Sequence, residues 1–461
     1  MNETKRTIIF GGVAVVLALL AFITAPARVA PDAFFDLGEV FFPEFTDPNA
    51  AASLEVIDYD QETGAAIPFK VINNNGKWSI PSHHDYPADG KDRLARTAAS
   101  VIGIKKDEFR SDNVTDHEFL GVIDPLDETV TTLKGRGQRI TLKGSNDEVL
   151  ADLIISKEDI EGRENFRFVR IPGQKRVYAS RMEIDISTKF NDWIEADLLK
   201  VNKSDIDLIT LKDYSIDERT RKVENRDTIV LTKDGSDWQA DKMKSNEEVN
   251  KTKVNDMLTA LDDIKIVGVR PKPEGLSAAL TRTDGEGELS RGDLLSLQSR
   301  GFYLTNDGSL LSNEGEVQAQ TKDGVVYTLR FGEIVTGTGL AVTAGVSSEV
   351  SGEDTEDEES GENRYLFVTT EFKADLFPEP KKPANTDFAS KADSLWTEQD
   401  RVNKELQDEH DKWAAQIGTG RETSNDLNER FAGWYYVIAS SSFDKLHLTR
   451  ADLVKKKEDE K

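Results

Sequence analysis

Not one of the 461 residues is cysteine. That excludes disulfides, a thiolate nucleophile, an iron–sulfur cluster and a lipid-modified N-terminal cysteine; it is compatible with an oxidising compartment without establishing one. Positive charge is also scarce: 59 Lys and Arg stand against 85 Asp and Glu, a formal net charge of −26. Such a chain repels phosphate backbones, because nucleic-acid affinity rests on basic side chains displacing counterions. It also resists lying flat on anionic lipid. The charge favours solubility and basic or polar partners.

Histidine is rare, with His83, His84, His117, His410 and His447 the full set. His83-His84-Asp85 is the one metal-like cluster, yet adjacent strand residues point to opposite faces and do not readily share an ion. The sequence has no HExxH, G-x-S-x-G, Walker A or strand-preceded G-x-G-x-x-G motif. Ser442-Phe443-Asp444-Lys445 fits S-x-x-K without the S-D-N or K-T-G that accompanies it in acyl-transfer enzymes. Arg291-Gly292-Asp293 spells an adhesion tripeptide and reads as loop. Asp124 and Asp127 in GVIDPLDETV are spaced as a carboxylate pair for glycoside hydrolysis, but Asp-Pro is equally a turn opener. No catalytic, cofactor or metal site is expected, and the chain reads as non-enzymatic.

What is present is apolar residue enough for real cores, 37% hydrophobic and 8% aromatic, over a length that suits two or three domains. After Lys5 and Arg6, Ile8 to Ala25 is uncharged. Eighteen residues at helical rise make about 27 Å, close to the hydrocarbon thickness of a bilayer. Ile8, Val13, Val16, Leu20, Phe22 and Ala25 would face lipid. Basic residues precede the run, which puts the N-terminus in the cytoplasm and the acidic remainder outside. The rival is a cleaved signal peptide ending at Ala25-Pro26-Ala27; the length of the run favours an uncleaved anchor. Either way the bulk is expected in the periplasm or outside a bacterial inner membrane.

The body contains an internal repeat. Trp78 in NNNGKWSIP and Trp238 in KDGSDWQAD each follow a Gly-containing hairpin turn. Sixteen residues after Trp78 come Leu94, Ala98, Val101 and Ile104; sixteen after Trp238 come Val254, Leu258, Leu261 and Ile264. Each set falls at i, i+4, i+7, i+10 on one helix face. Ser245 with Glu248 reads as a capping box for the second helix. The strand EVLADLIIS (148–156) then matches GVVYTLRFG (324–332), and FRFVR (166–170) matches YLFVT (365–369). The offset grows from 160 to 176 to 199, so the second copy carries extra loops. Its last strands are expected at Trp434 to Ile438 and Leu446 to Leu448. Both tryptophans read as core residues between hairpin and helix, with ligand stacking the alternative.

Two insertions mark the second copy. Residues 352–363 (GEDTEDEESGEN) hold seven acids and no base, the composition of a solvated loop. Phe388 to Ile417 reads as a long amphipathic helix or hairpin arm after a stiff entry at Pro378, Pro380 and Pro383. Phe388, Ala392, Leu395, Val402, Leu406 and Trp413 form a narrow apolar seam that packs on its own domain or docks a partner. The expected class is α+β: a transmembrane helix, then two repeated units of antiparallel sheet with a covering helix, the second with a long inserted helix. The expected division is anchor 1–30, linker 31–50, first unit 51–203, second unit 204–454 with its helical insertion at 386–418, and charged tail 455–461.

GKWSIP with its helix, FLGVIDPLDETV, LADLIIS and RFVRIPGQKRVYA resemble the bacterial domain-of-unknown-function family numbered four-three-four-zero. GEVQAQTKDGVVYTLRFG and LNERFAGWYYVI resemble its longer members, so the likeness runs over most of 50–454. It implies a membrane-tethered envelope protein, often encoded beside gliding-type ABC transporter components, and carries over no catalytic residue. The expectation is a scaffold or accessory subunit whose partners are integral-membrane transporter or envelope proteins. An envelope polysaccharide hydrolase using Asp124 and Asp127, and a passive glycan- or peptide-binding module, are the alternatives.

Overall fold

The computed structural model describes residues 36–457 except 62–63, 185, 218–219, 221, 282–288, 306, 338 and 346–361. The run Ile8–Ala25 lies outside the described residues, as does most of the acidic stretch 352–363. Among the described residues no helix is long and apolar enough to cross a membrane.

The first unit comprises β1 (Ser53–Asp60), β2 (Ala65–Asn74), β3 (Lys77–Ile80), β4 (Tyr86–Pro87), α1 (Lys91–Ile102), β5 (Glu108–Ser111), β6 (Gln138–Lys143), β7 (Val149–Ile155), β8 (Phe166–Arg170) and β9 (Val177–Arg181). Its sheet runs β4-β3-β2-β1-β6-β7-β8-β9-β5. The second opens with β10 (Ile206–Asp217), β11 (Lys222–Asp234), β12 (Asp237–Ala240), β13 (Glu247–Val249), α2 (Lys251–Asp262) and β14 (Ile266–Pro271). Then come α3 (Glu274–Thr281), α4 (Arg291–Gln298), β15 (Phe302–Leu304), β16 (Leu310–Ser312), β17 (Glu316–Thr321), β18 (Val325–Ile334), α5 (Leu340–Thr343) and β19 (Arg364–Phe372). The chain closes with α6 (Glu398–Ala432), β20 (Trp434–Ile438), α7 (Ser440–Leu446), α8 (Arg450–Leu453) and β21 (Val454–Lys456). The second sheet runs β12-β11-β10-β17-β18-β19-β20-β14. Leaving β4 aside, the two orders coincide strand for strand, with β1 standing where β10 stands and β5 where β14 stands. The fold is α+β, built on two antiparallel sheets.

Equivalent hairpins use different turns. Asn75 (φ 53°) and Gly76 (φ 86°) both take positive φ between β2 and β3, the type I′ pattern. Between β11 and β12 only Gly235 (φ 62°) does, the type II′ pattern. Both follow the right-handed strand twist, so the repeat keeps its shape while its turn residues differ.

Strand alternation sorts side chains onto two layers. Leu153 and Ile155 of β7, Leu366 and Val368 of β19, and Tyr436 and Ile438 of β20 enter one continuous core shared by both units. Leu94, Ala98 and Val101 of α1, and Val254, Leu258 and Leu261 of α2, join it as their spacing requires, together with Ile104 and Ile264. The intervening residues face outward into smaller clusters: Ile154 with Leu120 and Val122, and Phe367 and Tyr435 with Phe302 and Leu276. Trp78 and Trp238 are half-buried against the shared core. The fully buried indole is Trp193, whose Nε1 donates to the Ser187 carbonyl at 2.9 Å.

Several expectations need correction. Asn250, not Ser245, caps α2, accepting from the Lys253 amide. Residues 446–448 are not a strand: Leu446 ends α7. Lys455 and Lys456 do not trail as a tail but pair in β21 with Glu248 and Glu247 of β13. The long helix covers 398–432 rather than 386–418, so Phe388, Ala392 and Leu395 precede it in 3-10 turns and connecting chain.

The units are joined by polar contacts as well as by the core. His83 is buried, stacked on Phe190 at 4.4 Å, with Nε2 3.1 Å from Thr343 Oγ1. His84 Nε2 donates to the Ala344 carbonyl at 2.7 Å. Tyr86 meets Trp434 edge-on at 4.8 Å. The two histidines therefore clasp the end of α5. Burial, then the neighbouring His84 and Arg270, lower the His83 pKa from 6.5 to about 4. The unfolded chain binds the extra proton between those values, so stability is intact above pH 6.5 and is lost as pH falls toward 4. The loss is at most about 3 kcal/mol. His83→Phe keeps the stack but cannot titrate. Urea unfolding at a series of pH values is expected to show it about 1 kcal/mol weaker at pH 7 for want of the Thr343 bond, with a shallower fall between pH 6.5 and 4.

Candidate functional site: a strapped helical arm

The apolar seam read as packing on its own domain or docking a partner lies in and before α6, a helix of 35 residues, about 50 Å long. Thr397 opens it with a capping box: its hydroxyl accepts from the Asp400 amide, and the Asp400 carboxylate accepts from the Thr397 amide. Lys391 adds an ion pair to Asp400 at 2.8 Å, and these donors, Lys391 first, hold the Asp400 carboxyl down at about 2.

The two halves of α6 do different things. From Ile417 onward Ile417, Gly420, Ser424, Leu427 and Phe431 are buried, the three- and four-residue spacing of a helix lying on a sheet. Its partner is β19, whose pairing with β20 ends at Leu366. Beyond that point Asn428 takes over the strand edge: its Oδ1 accepts from the Thr370 amide and its Nδ2 donates to the Thr370 carbonyl, both at 2.8 Å. The helix thus satisfies an edge that would otherwise be open. At its C-terminus buried Lys272 donates to the Phe431 carbonyl at 2.9 Å and sits 3.8 Å above the Phe367 ring. Burial lowers the pKa of this amine well below the usual lysine value.

Over the first half, 398–416, Asp400 and Asn403 are the buried residues. Polar residues fill that role because this half lies not on the sheet but under an irregular strap, residues 373–397. Asn403 Oδ1 accepts from the Ala384 amide at 3.2 Å, and its Nδ2 donates to Asn385 at 3.2 Å. Trp413 Nε1 donates to the Phe377 carbonyl at 2.8 Å, and His410 lies 3.1 Å from Glu379. Trp396 donates to the Phe388 carbonyl at 3.2 Å and packs edge-on against that ring.

The expected seam is therefore divided. Phe388 is buried at the strap, Leu406 and Trp413 are half-buried, and Leu395 and Val402 are left outward at 70% and 41% exposure. Sequence reading missed Asn403 and Asn428, which do the fastening; an uncharged amide inside a charged helix was the available signal. Farther along, Gln416, Thr419 and Thr423 form one wall of a groove of about 380 Å³. Its other walls are Asn202 and Asp205 of the linker before β10 and Asp323 of the β17–β18 turn.

The remaining candidates serve local structure. Asp124 and Asp127 open and close a turn: the Asp127 amide donates to the Asp124 carbonyl, Asp124 pairs with Arg139 at 3.1 Å, and Asp127 accepts from the Thr129 amide. Ser442 is buried and accepts from the Lys265 amide, while Lys445 is exposed. Asp293 of the adhesion-like tripeptide closes the capping box of α4. Among the described residues no group of three or more His, Asp or Glu is placed to hold a metal ion.

Residues 78–279 match the family described as Domain of unknown function (DUF4340). The match starts in β3 at Trp78 and ends within α3, so the DUF4340 segment straddles both sheets and stops short of the arm. The description names no activity. No curated protein and no solved structure matches the chain.

Gly420 tests the docking of the helix. A Cβ there would overlap the Phe372 ring. Alanine in place of glycine ordinarily stabilises a helix by about 1 kcal/mol, but overpacking against a ring costs about 1–3 kcal/mol. Gly420→Ala is therefore expected to lower the thermal midpoint, whereas Gly418→Ala, where a Cβ meets nothing, raises it; differential scanning calorimetry reads both.

Proposed function

We propose that the protein is a non-enzymatic, membrane-anchored scaffold or accessory subunit of an ABC-type transport or envelope complex. Ile8–Ala25 is the anchor, the paired sheets form an extracytoplasmic platform, and the strapped half of α6 is the docking arm. The observation that carries this reading is the arm. A helix needs only its second half to cover a strand edge, yet this one continues for some five further turns. The extension is stiffened by a capping box and by side-chain bonds to the strap, and Leu395 and Val402 face outward. Rigid placement of apolar side chains reduces the entropy lost on association. The DUF4340 resemblance supports the envelope setting. An acidic body suits basic or polar partners.

The test is made in native membranes. The full-length chain is expected to stay in the pellet through alkaline carbonate extraction, and a chain lacking residues 1–28 to leave it. Affinity purification in mild detergent is expected to recover a permease and its ATPase, with Leu395→Glu/Val402→Glu lowering that yield about tenfold, the effect of charges buried in an apolar contact. Recovery of the chain alone counts against the assignment.

A further inference from the structure

The outer face of the first sheet is covered not by a helix but by the connection between β5 and β6. From Asp112 to Leu133 it carries six acidic residues and no lysine or arginine. A loop of this length needs an internal frame, and Arg136 supplies it. The side chain is buried, stacks 4.4 Å from the Tyr59 ring, and donates to the carbonyls of Asp124, Val130 and Thr132 at 3.0, 2.6 and 3.2 Å. A guanidinium held by carbonyls, away from water, is a costly way to fix a loop, so the loop's shape is specified.

On this fixed frame Phe119 is 84% exposed, the most exposed large apolar side chain among the described residues. Its neighbour Leu120 is 3% exposed, so the chain buries one side of the turn and presents the other. Glu118 accepts from Thr132 at 3.1 Å, which brings the turn bearing Phe119 beside the one bearing Leu133, itself 45% exposed. Val114 and Leu126 are exposed on the same loop. The charge around them is predominantly negative, with Lys134, which follows Leu133, the exposed exception on the loop. Asp112 and Asp124 are neutralised by Arg176 and Arg139, and Asp127 feels Arg136 and Arg170, which leaves Asp116, Glu118 and Glu128 to carry the acidic charge.

We infer that Phe119 and Leu133 form a docking surface for another polypeptide, one presenting an apolar pocket ringed by lysine or arginine. A rigid aromatic at the centre of a charged rim is the usual anatomy of a binding hot spot. The acidic rim selects a basic partner and speeds the encounter. It disfavours anionic lipid, which the same carboxylates repel. A second copy of this chain is a poor occupant, being acidic itself. The surface lies within the DUF4340 segment and far along the chain from α6, so it stands independently of the arm and of the anchor.

The experiment places benzoylphenylalanine at position 119 of the full-length chain in intact cells, with Val149, 59% exposed at the β6–β7 turn, as the control position. Irradiation is expected to give one discrete protein adduct at 119 and none at 149. Mass spectrometry should locate the bond in a partner segment that is apolar and carries net positive charge. Glu118→Gln with Glu128→Lys, which leaves an acceptor for Thr132, is expected to lower adduct yield about fivefold; unchanged circular dichroism and thermal midpoint establish that the loop is intact. Lipid adducts alone, adducts to a second copy, an acidic partner segment, no adduct beyond the control, or a yield indifferent to the charge change would each overturn the proposal.

Discussion

Strands β7, β19 and β20 bury side chains on both faces, and a sheet so built needs two covers. The constraint is visible in β20, where Tyr436 and Ile438 point into the core shared by both units while Tyr435 and Val437 point the other way into separate clusters. A single helix, α1 or α2, serves only the shared side. The other side of the first sheet is closed by the acidic loop framed by Arg136, and that of the second by α3, α4 and the β15–β16 hairpin. These covers are the parts in which the two copies differ, and they are also where the outward-facing surfaces arise. Both units keep the same strand order, and their second faces are covered by different elements.

The join between copies follows from the same economy. Because α1, α2 and the inner strand faces contribute to one apolar cluster, separating the units would expose a core rather than a seam. The polar contacts at the edge, His83 to Thr343, His84 to Ala344 and Arg430 to the Asp197 carbonyl, fix orientation more than they supply stability. The left-handed backbone at His84 (φ 59°) and Asp85 (φ 58°) aims both imidazoles at α5, and a strand pattern in the sequence would have pointed them apart.

Asp124 and Asp127 were spaced for catalysis, yet the turn engages both carboxylates, one with Arg139 and one with Thr129. The apolar seam from Phe388 to Trp413 was legible as a pattern but not as a surface. A 3–4 spacing continues as readily through 3-10 turns as through a helix, so Phe388 and Leu395 were assigned to a helix that begins at Glu398. Which members would be covered depended on the strap, and the strap is held by Asn403 and Trp413 bonding to backbone atoms up to 36 residues away. No local pattern records such a bond.

By itself the sequence determined the α+β class, the repeated strand–helix spacing, the helix faces at Leu94 to Ile104 and Val254 to Ile264, and the match to DUF4340 over 78–279. Those features are local and periodic: hairpin turns, alternation and helical spacing act within a dozen residues, so they can be read from order alone. Tertiary structure alone decided that the two sheets share a core, that α6 takes over the edge of β19 through Asn428, and that Phe119 stands free on a loop framed by Arg136. Each of these rests on which distant groups meet, and burial is a property of that meeting rather than of any residue.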